Sequence, residues 1–310
     1  IVSLQVFNTL SNQKEVFQPL RDGEVSMYVC GMTVYDHCHL GHARAYVAFD
    51  IVRRHLQYRG YRCRHVQNVT DIDDKIIDRA HERGDEPLAL ARHFTEEARQ
   101  DMEQLNIVPP SEQPAATQHI PAMVAMIETL LRKGQAYCAG NSVYFSIASD
   151  PYYGQLSGRL REQMEAGLRV EPDPQKKDPL DFVLWKAQKP GEPTWPSPWG
   201  LGRPGWHIEC SAMATSLLGP QIDLHCGGRD LIFPHHENEI AQSECATGLR
   251  PFARYWLHNG FVTIDKQKMS KSLGNSFSLR DLFQRYDPMA LRLFLLSTHY
   301  RHPVSFSDSL

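Results

Sequence analysis

A chain of 310 residues is long enough to bury a sizeable core in one large or two medium domains. Its apolar share of 42%, charged share of 22% and formal net charge of −3 are those of an ordinary globular enzyme and give no overall sign of a nucleic-acid binder. No apolar run approaches the ~20 residues that span a bilayer, there is no signal-peptide pattern, and seven scattered cysteines argue against a disulfide framework. A cytoplasmic protein without a membrane partner is expected.

In chain order, "VSMYVC" (25–30) reads as a strand. A loop leads to a helix in which Ala45, Phe49, Val52 and Leu56 recur at helical spacing and Gly60 supplies the stop. "YRCRHVQNV" (61–69) reads as the next strand, which makes a right-handed βαβ unit and a parallel sheet. Residues 84–105 read as one charged helix ended by "VPP". From about 110 to 200 the texture turns proline-rich, as in "KPGEPTWPSPWGLGRPGW", and reads as an insertion between two halves of the sheet domain. The α/β pattern returns with "IECSAMATSLLG", "IDLHCGG", a helix opened by Pro234 and closed by Gly248, and a strand over 255–264. "SLRDLFQRYDPMALRLFLLS" reads as helical. The chain begins without methionine and stops at "SFSDSL", so a fragment of a longer protein is expected.

Two segments suggest phosphate chemistry. "HLGH" (39–42) opens the long helix after the first strand, where free N–H groups and the helix dipole favour an anion. The nicotinamide fingerprint G-x-G-x-x-G is absent. His39 and His42 would lie on one helical face and can donate to phosphate oxygens; solvated histidines at a helix start are the plainer alternative. "KMSKSLGN" (268–275) carries paired lysines in a flexible loop that can stabilise a leaving pyrophosphate, against the plainer reading of an exposed charged turn.

A third segment, "IFPHHENE", suggests a metal. His235 and Glu239 are i and i+4 on one helical face, with His236 about 100° away. Cys30 and Cys210 can reach the same end of a parallel sheet, while Cys226, His225 and Cys38 compete as ligands. A capped surface helix with inert buried cysteines remains open at this point.

The pairing of "HLGH" with "KMSKS" is the signature of class I aminoacyl-tRNA synthetases. "YVCGMTVYDHCHLGHARAYVAFD", "NVTDIDDKII", "GWHIECSAM", "DLHCGGRDLIFPHHENEIAQSE", "YWLHNGFVTIDKQKMSKSLGN" and "LRLFLLSTHYR" together closely resemble cysteinyl-tRNA synthetases across nearly the whole chain. Leu40 stands where many members have isoleucine. The resemblance implies an α/β fold: a Rossmann-like parallel-sheet catalytic domain with an inserted connective subdomain and the start of a C-terminal helical region. The divisions expected are 1–109 and 205–267 for the two catalytic halves, 110–204 for the insertion, and 268–310 for the KMSKS loop and stem-contact start. A helical anticodon-reading domain is expected beyond Leu310.

The resemblance also implies Zn²⁺, one per chain, on Cys30, Cys210, His235 and Glu239, and Mg²⁺ with ATP. It implies catalytic roles for His39, His42, Lys268 and Lys271. The nucleotide is expected at Thr33, His39, Gly41, His42, Gly228, Asp230, Lys268, Ser270 and Lys271. The amino acid is expected at Cys30, Gly31, Thr70, Trp206 and His235. Asp71, Asp73 and Asp74 read as capping and loop hydrogen-bonding residues rather than as a second metal cluster.

The implied reaction joins L-cysteine to ATP and passes it to tRNA(Cys), with the chain acting as a monomer. Discriminating by one small group is typically worth only ~1–3 kcal/mol, whereas thiolate is a far better zinc ligand than a hydroxyl. Direct ligation of the substrate thiolate by the zinc is therefore expected. A ligase joining activated cysteine to glucosaminyl-inositol, as in mycothiol synthesis, would share these motifs and differ in its acceptor. A non-catalytic zinc-stabilised RNA-binding module is the alternative from another class.

Overall fold

The computed structural model describes residues 3–159, 161–166, 173–264, 267–268 and 276–307. Its centre is a parallel sheet of β3 (Glu24–Val29), β4 (Arg62–Gln67), β9 (Ile222–Gly228) and β10 (Ala253–Asn259) in the order β10-β9-β3-β4. Ahead of it lies a hairpin of β1 (Gln5–Asn8) and β2 (Gln13–Val16). β3, β9 and β10 bury both faces, as parallel strands do, while the edge strand β4 leaves Arg62 and Arg64 exposed. Met27, Val29, Leu224, Cys226 and Leu257 enter one core, with α1 (Leu40–Tyr58) and α3 (Pro87–Gln104). Tyr28, Cys30, Val66 and Trp256 enter the other, against α4 (Ile120–Arg132), α6 (Trp206–Leu218) and α7 (Glu237–Thr247). Alternation along β3 thus sends Cys30 to one face of the sheet, and along β9 sends Cys226 to the other.

Between the two halves lies a separate antiparallel sheet of β5 (Ala136–Ala139), β6 (Ser142–Phe145), β7 (Phe182–Ala187) and β8 (Gly202–Pro204), with the short α5 (Arg161–Ala166) beside it. It is fastened to the βαβ half by Asp74 of α2 (Asp74–Arg83), which pairs with Lys186 and the buried Arg203. Asp73 caps α2 through the Lys75 N–H, and Asp71 accepts from Thr117, so these carboxylates have hydrogen-bonding and ion-pair partners.

Several sequence expectations need correcting. The charged helix expected over 84–105 is α3, Pro87–Gln104, and a separate α2 ahead of it, closed by Gly84 at φ +72°, was not delimited by the sequence reading. The strand expected over 255–264 breaks at Gly260 into β10 and β11 (Val262–Ile264), and a Cβ at Gly260 would strike the His302–Pro303 backbone. β11 pairs with β12 (Gln267–Lys268) and, in parallel, with β13 (Val304–Phe306), which sequence reading missed. The terminal helical run is α8 (Leu279–Arg285) and α9 (Pro288–Leu296), parted where Asp287 caps the second through Met289 and Ala290.

His65 of β4 is buried beside Arg53. Burial, then the Arg53 charge, hold its imidazole down to about 3 from 6.5, so the folded chain excludes a proton that the unfolded chain takes up. That stability is complete above pH 6.5 and is lost as pH falls towards 3. Denaturant titration at pH 7 and pH 5 should show His65→Gln losing about 2 kcal/mol less than the parent over that interval. Identical losses in the two proteins would contradict this.

Candidate metal and nucleotide site

Parallel strands gather the site at their C-terminal ends. Cys30 follows β3, Cys210 sits in α6, and His235 and Glu239 come from the turn before α7 and its first residues. All four are buried, and one ligand atom from each lies within 4.8 Å of the others. The Cys30 and Cys210 sulfurs are 3.9 Å apart and unbridged. Two sulfurs each ~2.3 Å from a tetrahedral ion stand roughly 3.8 Å apart, so this spacing fits zinc rather than a disulfide. His235 Nε2 lies 3.0 Å from Glu239 Oε1, and Cys30 Sγ lies 3.4 Å from the same oxygen.

The electrostatics suit a cation. Burial opposes a thiolate at Cys210, yet the Cys30 hydrogen bond and the His235 charge hold it down to about 6. Burial likewise opposes ionisation of Glu239, but His225 and His235 keep it down to about 2. Burial disfavours a charged His235, while Glu239 and Cys210 bring it up to about 10. Burial, then the hydrogen bond to Cys210, pushes the Cys30 thiol up, so Cys210 and Glu239 are the two donors held in their metal-binding forms. The four buried side chains make a Cys/His/Glu cluster consistent with a zinc site.

Around this cluster stands a cage that sequence reading largely missed. His207 Nδ1 meets His235 Nδ1 at 2.9 Å, leaving His235 Nε2 for the cluster. His225 Nε2 bonds Glu239 Oε2 at 2.6 Å, and His236 Nδ1 bonds His258 Nε2 at 2.8 Å. Such outer partners orient ligands. His236 was expected to point away, but the helix does not open at Pro234. Residues Ile232–His236 form a wide π-type turn with Phe233 extended and a cis Phe233–Pro234 bond, and α7 starts at Glu237. The turn brings His236 Nε2 within 3.3 Å of Cys30 Sγ, so Cys30, His225, His236 and Glu239 form a second possible quartet. Cys226 lies in the opposite core, and Cys38 packs on Met32; neither is in a quartet.

The nucleotide end is built on the start of α1. His39 Nδ1 accepts from the Gly41 and His42 N–H groups at 3.1 and 3.3 Å, and His42 Nδ1 accepts from the His39 N–H at 3.2 Å. The rings stack at 3.7 Å. This is a capping box made of histidines. With both Nδ1 atoms accepting, each neutral ring carries its proton on Nε2 and is a donor there.

Cys30, Gly31, Thr33, His39, Gly41, His42, Trp206, Gly228 and Asp230 line one cavity of about 330 Å³. Gly31 must be glycine, because a Cβ there would overlap the Asn68 carbonyl, and at Gly228 it would meet Asp230. Trp206 stacks on His235 at 4.1 Å. Thr70 lies behind the wall, bridged to Thr33. Lys268 ends β12, while Ser270 and Lys271 lie outside the described residues. The chain following them returns to the helix start, where Leu40 N–H donates to Phe277 O and Leu279 N–H to Cys38 O.

The chain is 56% identical to a cysteine--tRNA ligase of Heliobacterium modesticaldum over 99% of its own length and 64% of the relative's. It is 57% identical to that of Pelotomaculum thermopropionicum over 98% of its length and 62% of the relative's. The chain therefore spans less than two thirds of these proteins. The methionyl-tRNA synthetase of Mycobacterium tuberculosis bound by methionyl-adenylate superposes with a TM-score of 0.69 at 18% identity, covering 92% of this chain and 67% of that one, which speaks for the fold alone. The profile of the family described as tRNA synthetases class I (C) catalytic domain matches residues 16–310. The chain belongs to that class I synthetase family.

Proposed function

We propose that this chain activates L-cysteine with ATP as the catalytic part of a cysteine--tRNA ligase. The observation that carries the reading is that Cys30 belongs both to the buried sulfur cluster and to the wall of the cavity headed by His39 and His42. A thiol-sensing end and a phosphate-binding end thus face one space of small-molecule size.

In this reading the substrate carboxylate oxygen attacks the α-phosphorus of ATP, the bond to the β-phosphate oxygen breaks, and pyrophosphate leaves. A hydroxyl of the tRNA 3′-terminal ribose then takes the aminoacyl group and AMP departs. No protein nucleophile is needed; positioning and charge stabilisation do the work. His39 and His42 donate from Nε2 to the phosphates, Lys268, Ser270 and Lys271 attend the pyrophosphate, and Mg²⁺ accompanies ATP. Thr33, Gly41 and Gly228 let the nucleotide approach the backbone, and Asp230 accepts from the ribose. Gly31, Thr70, Trp206 and His235 shape the amino-acid end.

Cys30, Cys210, His235 and Glu239 would hold the zinc. This set offers paired sulfurs, whereas the rival quartet has one. Zinc, when bound there, supplies a soft centre that prefers a thiolate to a hydroxyl. The domain division at 110, 205 and 268 belongs to the same reading. So do a monomeric state and a cytoplasmic location; among the described residues no helix is long and apolar enough to cross a membrane.

Pyrophosphate exchange tests the proposal: exchange should require L-cysteine and stay near background with L-serine. Exchange equally supported by serine, or absent with cysteine, would refute it.

A further inference from the structure

The start of α1 is held from outside the helix it opens. His39 caps α1 and Ser278 caps α8, and the two caps face each other in an antiparallel bridge. On either side of that bridge Leu279 N–H donates to Cys38 O at 2.8 Å and Leu40 N–H donates to Phe277 O at 3.3 Å. Residues 38–40 and 277–279 therefore form a short ladder, and the backbone that aims His39 is set in part by a segment from the far end of the chain.

Both sides of this ladder are fastened to one face of α3, where Glu97 and Asp101 stand at i and i+4. Asp101 is fully buried; its Oδ1 accepts from Arg280 Nε at 3.1 Å, and its Oδ2 has no hydrogen-bond partner among the described residues. Glu97 Oε1 lies 3.7 Å from Arg280 Nη1. Its other oxygen, Oε2, lies 2.7 Å from Nδ1 of His37, whose ring stands edge-on to Phe94 of α3. A single carboxylate thus meets the residue after Leu279 and the residue before Cys38. Burial pushes the Asp101 carboxyl up, and the Arg280 charge works against that. A buried ion pair adds little net stability, and its best-attested use is to fix register.

We propose that Glu97, Asp101 and Arg280 are positioning residues for adenylate formation: they hold the paired caps against α3 and so fix the direction in which His39 presents Nε2 to the phosphates. This rests on the activation reading above. A clamp that only stabilised the fold would slow the reaction by the same factor whether or not His39 were present, which gives the test its leverage.

The test is a double-mutant cycle read by cysteine-dependent pyrophosphate exchange, with melting temperature and L-cysteine affinity followed in parallel. Misplacing a reacting group by 1 Å costs about 10²-fold. Arg280→Ala and Glu97→Gln should therefore each slow exchange by roughly 10- to 100-fold, with L-cysteine affinity changing less than about twofold. Glu97→Gln keeps the size of the side chain and carries the test if Arg280→Ala fails to fold. In a His39→Asn background the same changes should cost less than about twofold, because the group they aim is gone. Undiminished slowing in that background, parental exchange in both single variants, or cysteine affinity lost in step with the rate would overturn the proposal. A parent chain without cysteine-dependent exchange would instead overturn the activation reading, and this proposal with it.

Discussion

Cys210→Ala is expected to cost the chain its zinc. Even outer partners of a ligand are worth ~10–100-fold in metal affinity, so loss of a ligating sulfur should exceed about 100-fold. The variant should emerge from dialysis essentially metal-free, with a lowered melting temperature that added zinc does not restore, because metal binding and folding are coupled. Glu239 and His235 would remain buried without the thiolate that balances them. Cys226→Ala is the control: that thiol is equally buried but enters the opposite core, so its loss should leave zinc content unchanged. Full zinc occupancy in Cys210→Ala would move the ligand set to Cys30, His225, His236 and Glu239.

The second large effect separates the structural from the chemical work of His39. Its Nδ1 caps α1 and its Nε2 is the donor directed to phosphate in the proposed reaction. Asparagine is among the best N-cap residues, so His39→Asn should keep the cap while lacking the reach of the imidazole. Its melting temperature should stay close to the parent's, while adenylate formation falls by about 10²–10³-fold, the usual cost of removing one transition-state donor. His39→Ala should show the same rate loss together with about 1 kcal/mol of lost stability. A His39→Asn protein with near-parental turnover would reduce the histidine to a cap.

How far the sequence carries depends on the range of the forces involved. β9 was legible as "IDLHCGG", where apolar Ile222, Leu224 and Cys226 alternate with Asp223 and His225 at the period of a strand. The end of α7 was legible at Gly248, which takes φ +75°. The N-terminal hairpin was not, because "QVFN" and "QKEV" are polar, half-exposed strands held by the sheet beside them, as where Thr9 N–H donates to Trp256 O. At the site, spacing brought His235 and Glu239 together but misjudged His236, whose direction follows from the wide turn and not from an ideal helix. The histidine cage was hidden for a different reason. His207, His225, His236 and His258 come from α6, β9, the turn and β10, and only the sheet register and helix packing assemble them. Their one local signal is that each sits inside a motif already singled out.

The most direct measurement is optical spectroscopy of the cobalt-substituted chain. Cobalt on Cys30 and Cys210 should give sulfur-to-metal charge-transfer bands, and L-cysteine should change their intensity and position while L-serine and L-alanine leave them as they are. Bands that cysteine does not alter, in a chain that still activates it, would contradict a substrate thiol read by the metal cluster.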